Sequence, residues 1–166
     1  MPRRIPFSLR QSFAAPATGD NPIVLVTLSG GALLSPLLVA SDWTDVLSRD
    51  PLTYGVIRGG VTYGFVLTNI ELPDEQEDSP GSSKIVFENV SSDMVTALRA
   101  ATSMIDVEMR LVHAGDVNAN IDPWLLKCEH GGYDASTVAL DVARDDDNSE
   151  PASMSASKTR FPGQFR

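Results

Sequence analysis

Apolar and polar positions change period several times along this chain, and the changes divide it into short extended elements with one clear helix past the midpoint. The first strong run, Ile23-Val24-Leu25-Val26-Thr27-Leu28, is apolar without alternation, which predicts a strand buried on both faces. Ser29-Gly30-Gly31 then permits a tight reversal. Residues 33–39 are apolar again but interrupted by Pro36, which has no ladder donor, so this segment is expected at an edge or a bulge. Residues 41–51 read as loop, punctuated by Asp50-Pro51. Two patterned runs, 52–58 and 61–70, flank Gly59-Gly60 and predict a hairpin.

A very polar linker, residues 71–83, separates that hairpin from the run Lys84-Ile85-Val86-Phe87-Glu88-Asn89-Val90, where Ile85 and Phe87 share one face by the period of two. Ser91 or Ser92 can cap the following helix, Asp93 suits its positive end, and Met94, Val95 and Leu98 form its apolar stripe. Strict alternation returns in Val107-Glu108-Met109-Arg110-Leu111, predicting a strand with one buried and one wet face. Two more strands, 124–129 and 137–142, are expected to join through Gly131-Gly132. Near the amino terminus Leu9 and Phe13, four apart, predict a short helix ended by Pro16. The expected fold is mainly β, an antiparallel barrel or sandwich with one or two short helices.

At 166 residues the chain fits one domain, expected over 1–143 with residues 1–22 as an optional arm, followed by an extended arm at 144–166 that is polar and small until its last residues. The net charge of −9 argues against nucleic acid, whose binding needs a basic face. The charge is uneven: Arg3, Arg4 and Arg10 stand at one end and Lys158, Arg160 and Arg166 at the other, without acids among them. Acids gather at Asp74, Glu75, Glu77 and Asp78 and again at 145–150. Basic ends on an acidic body suit self-complementary assembly. No signal peptide is expected, since no apolar core follows Arg3 and Arg4, and no run is long enough to span a membrane.

The sequence offers little chemistry. Cys128 is a single thiol, so an internal disulfide or a cysteine-based cluster is excluded. His113, Cys128 and His130 lack the spacing of a zinc site. Asp116-Val117-Asn118-Ala119-Asn120-Ile121-Asp122 begins like a calcium loop, but Ile121 stands where glycine is needed and Lys127 where a bidentate glutamate is needed. It reads better as an Asn/Asp turn whose side chains serve local backbone groups. No nucleophile elbow or phosphate loop is present, and the solvated acids of the linker have no burial to tune them as acid and base. No enzyme activity, cofactor or metal is expected. Tyr54, Tyr63 and Trp124 would make a glycan platform only by sharing an exposed face.

The order of features carries more than any one of them. A strand ending Ile70-Glu71-Leu72-Pro73-Asp74, an acidic gap, a strand ending Glu88-Asn89-Val90, the helix Met94-Val95-Thr96-Ala97-Leu98-Arg99, a strand from Val107, then Tyr133-Asp134-Ala135-Ser136-Thr137-Val138 and a closing Arg160-Phe161-Pro162-Gly163-Gln164-Phe165 together resemble a family of tailed-phage minor tail proteins of unknown function. That family is similar to the amino-terminal hub domain of the lambda-type minor tail protein L. The resemblance implies a virion protein, made in the host cytoplasm, that forms a ring between the distal tail and the central fibre, with a homotrimer expected. Its contact residues are expected at Arg3 and Arg4, at Asp74, Glu75, Glu77 and Asp78, and at Arg160, Phe161, Pro162 and Phe165. The lambda-type protein continues into a cysteine-rich region that this chain lacks, so no iron–sulfur role is carried over. A small glycan-binding module of a phage or bacterial surface assembly is the alternative expectation.

Overall fold

The structure, a computed structural model, describes residues 7–14, 21–31, 33–71, 82–88, 90–119, 121–134 and 137–144. In chain order the elements are α1 (Phe7–Ala14), β1 (Pro22–Gly30), β2 (Leu37–Ala40), β3 (Asp45–Arg49), β4 (Leu52–Arg58), β5 (Val61–Phe65), β6 (Leu67–Ile70), β7 (Ser82–Glu88), α2 (Ser92–Arg99), β8 (Ile105–His113), β9 (Trp124–Tyr133) and β10 (Thr137–Ala143). The fold is mainly β. All ten strands belong to one open sheet in the order β3-β4-β5-β2-β1-β8-β9-β10-β7-β6. Pairing is antiparallel throughout except between β2 and β5, which run parallel and make the sheet mixed.

A single residue, Val66, forces this sheet to roll up. β5 and β6 flank it in sequence yet have six strands between them in the sheet. In a flat sheet, strands about 4.8 Å apart would put them more than about 30 Å from each other. Two residues reach only about 7 Å. The sheet therefore folds over into a sandwich-like body, and the Val66 amide donates to the Ala40 carbonyl at 3.1 Å where the two layers meet. The continuous strand expected over 61–70 is thus broken at Val66, a break invisible in a run whose apolar character does not change.

The main core fills the roll. Val26 and Leu28 of β1, Ile85 and Phe87 of β7, Val107 and Met109 of β8, and Val138, Leu140 and Val142 of β10 meet there, with Met94, Val95 and Leu98 of α2 packed against them. α2 forms where its cap dictates: the Ser91 hydroxyl accepts from the Met94 amide at 3.3 Å, with Asp93 in the first turn and Arg99 in the last. Its far end is tied back by the Thr102 amide, which donates to the Gly31 carbonyl at 3.0 Å. Gly31 has φ +61°, and a Cβ there would sit 2.8 Å from Ile105 Cγ1, so this reversal needs glycine twice over.

A smaller second core lies on the other face of β1. Ile23 and Leu25 point into it with Ala40, Val56, Tyr63, Val112, Ala119 and Ile121. The expectation that β1 is buried on both faces holds, and the two cores are the reason.

Several expectations are corrected. Residues 41–51 are not all loop, because β3 pairs with β4 across Val46–Tyr54 and Arg49–Leu52. Pro36 lies outside β2, and β2 is interior, bonded to β1 on one side and β5 on the other. Gly131 and Gly132 are not the turn but part of β9, which reverses only after Tyr133. Gly131 is there because the Tyr133 ring lies over it: a Cβ would approach Tyr133 Cζ to 2.8 Å. β8 is longer than expected, and its Glu108 and Arg110 are half-buried rather than wet, since Arg110 reaches back to the Ile121 carbonyl at 3.0 Å.

Candidate interaction surface

The hairpin sheet β3-β4-β5 extends the roll on one side, and its geometry leaves an apolar face partly uncovered. Gly59 and Gly60 both have positive φ, +55° and +81°, which allows the two-residue turn between β4 and β5. The turn is held down at its base. Arg58 donates to the carbonyls of Val117 and Ala119, both at 2.9 Å, and the Gly59 amide donates to Asn118 Oδ1 at 2.9 Å. Asn118 therefore serves a partner far away in sequence, where a local turn contact was expected.

By the strand period, Leu52, Tyr54, Val56 and Arg58 of β4 share a face with Val61, Tyr63 and Phe65 of β5, and Val46 joins them through its pairing with Tyr54. The middle of this face, Val56 and Tyr63, is buried in the second core. The part toward β3 is not: Val46, Leu52 and Trp43 are each about half or more exposed, at 49%, 58% and 47%. Trp43 stacks on Tyr54 with ring centroids 4.6 Å apart, tilted by 42°. Asp42, whose carboxylate accepts from the Trp43 amide, precedes this patch in sequence, Asp50 lies between Val46 and Leu52, and Asp45 opens β3. The cation Arg49 is registered opposite Leu52, while Asp45 is registered opposite Gly55 and alternates to the other face.

The expected glycan rings do not share one exposed face. Tyr63 is buried in the second core, Trp124 packs against the main core, and only Tyr54 stands on the patch. Cys128 and His130 do not share a face either. Glu129 is an extra residue opposite the Val142–Asp141 step, so the strand turns over and Cys128 points inward while His130 points out. The Cys128 thiol donates to the His130 carbonyl at 3.4 Å. Close by, burial pushes the Tyr133 phenol above its ordinary value of 10.0, the Cys128 charge raises it further, and Arg99 pulls it back.

Across β1, β8 and β9 runs a shallow groove of about 320 Å³ lined by Ser29, Asp106, Glu108, Leu125 and Lys127. Asp106 is registered opposite Lys127 across the ladder.

The expected contact residues, Arg3, Arg4, Asp74, Glu75, Glu77, Asp78, Arg160, Phe161, Pro162 and Phe165, all lie outside the described residues. What the structure fixes is the base of the acidic segment. The Glu71 amide donates to the Lys84 carbonyl at 3.0 Å, and the Ser83 hydroxyl donates to the Glu71 carbonyl. The patch of Trp43, Val46, Leu52 and Tyr54 was missed by sequence reasoning; Val46-Leu47 between polar residues was the available signal, too short to read as a strand. No family model and no curated protein matches the chain.

Proposed function

We propose that this chain is a structural component of a bacteriophage tail tip, a hub or minor tail protein that assembles in a ring linking the distal tail to the central fibre. A homotrimer is the closed unit of this reading, and the virion is where it works. The supporting observation is the segment that carries the resemblance: β6, β7, the capped α2 and β8 follow one another in the chain and contribute to the main core, with the acidic stretch between β6 and β7 in sequence. Glu71 and Ser83 are bonded to each other at the two ends of the acidic stretch. Co-expression with the products of the flanking genes tests the proposal. The chain should co-purify with a distal-tail ring protein and a central-fibre protein; a chain left behind while those partners join each other sinks it.

A further inference from the structure

We infer that the patch of Trp43, Val46, Leu52 and Tyr54 is the docking site for residues 158–166 of a second copy of this chain. The patch is apolar and aromatic, with Trp43, Val46 and Leu52 about half or more exposed, and in its stretch of sequence the carboxylates of Asp42 and Asp50 outnumber the one cation Arg49. Residues 158–166, Lys158-Thr159-Arg160-Phe161-Pro162-Gly163-Gln164-Phe165-Arg166, carry three cations, no acid and two aromatic rings. The two are complementary in both respects. Phe161 and Phe165 match the apolar surface of Leu52 and Val46. Arg160 suits the face of Trp43, since a guanidinium over an indole is attracted by the ring quadrupole. Pro162 has no amide to donate, which removes one donor from any pairing along β3.

The thirteen residues between Arg144, where the described body ends, and Lys158 span up to about 45 Å when extended, enough to leave one body and reach the next. A contact in which one copy offers an arm and the next a patch is heterologous, and such contacts close into rings when the rotation permits. The inference deepens the ring reading by supplying its subunit contact, and it rests on that reading for the expectation that copies meet. A contact of this size belongs among weak interfaces, below about 1,200 Å².

Charge exchange between full-length variants tests it with purified chain alone, so its outcome is independent of whether tail partners bind. One variant reverses the patch (Asp42→Lys with Asp50→Lys) and keeps the arm; the other reverses the arm (Lys158→Glu with Arg160→Glu) and keeps the patch. Light scattering should show concentration-dependent association of the native chain, weakened on the order of tenfold in each variant alone. Mixing the two variants should raise association above that of either alone, because each arm then meets a patch of opposite sign on the other, though a three-membered ring keeps one contact between like variants. Phe161→Ser with Phe165→Ser should abolish association with unchanged circular dichroism. A native chain that stays monomeric, or a mixture that associates no better than its components, overturns the inference. The latter result, with recovery when all four reversals sit in one chain, would assign the arm to its own body instead.

Discussion

At the scale of single residues, two arginines hold the 114–121 segment against the sheet. Arg58 uses two of its donors on the Val117 and Ala119 carbonyls, and Arg110 uses one on Ile121 while its Nε meets Glu108 at 2.6 Å. Removing a charged donor from part-buried carbonyls leaves them desolvated and unpaired. Arg58→Met is expected to cost about 2 kcal/mol, read as a lower urea midpoint with unchanged slope. An unchanged midpoint would show that water replaces the guanidinium without loss. Tyr133 supplies a pH dependence. Its pKa is raised in the folded state, so the folded chain holds that proton more tightly than the unfolded one. This contribution is complete below the unfolded value of 10.0 and is lost as pH rises through the higher folded value. Thermal melts should therefore drop on alkaline titration above about pH 10, and Tyr133→Phe should flatten that drop. An identical slope in the variant would place the loss elsewhere.

At the scale of elements, the acidic segment is separable from the strands that flank it. β6 and β7 are in register from Leu67–Glu88 to Ile70–Ile85, and the Glu71–Lys84 and Ser83–Glu71 bonds close the ladder before residue 72. Replacing residues 73–80 by Asn-Gly should shift the melting temperature by less than about 4 °C, and on the proposed function it should weaken co-purification with the distal-tail partner. An unfolded product would show that the segment belongs to the core. Elements whose signals are local were legible in the sequence. β1 shows as six apolar or β-branched residues because both its faces are buried, and α2 shows as a serine cap ahead of an apolar stripe. Elements fixed by distant partners were not legible. β3 has one neighbour and exposes Val46, so it carries no alternating pattern, and the break at Val66 exists only because β2 and β7 lie in different layers. The inward turn of Cys128 depends on the bulge at Glu129, which no residue type announces. Of the candidate surface, the charged ends were readable as composition, whereas the aromatic patch required knowing that β3 pairs with β4.

At the scale of the whole molecule, β1 and its two neighbours β2 and β8 each contribute to both cores, and this sets what each part depends on. The main core is closed by α2 and the rolled sheet, and the second by the β4–β5 hairpin together with the 114–121 segment. Among the described residues no helix is long and apolar enough to cross a membrane. β1 lies at the centre of this arrangement, with β2 on one side and β8 on the other. Its pairing with β8 runs from Pro22–His113 to Gly30–Ile105. On a ribosome adding about 5–20 residues per second, β1 is complete on the order of 4 to 15 s before the first residue of β8 that will bond to it has been made. Throughout that interval one edge of a strand destined for burial on both faces is open to any other nascent copy. A fragment ending at residue 104 should accordingly be insoluble when expressed, and extension to residue 113 and beyond should restore soluble yield. Equal solubility of the two would mean that β2 alone is sufficient to shield the strand. The central position that lets β1 serve both cores thus makes the protein's birth its most aggregation-exposed moment.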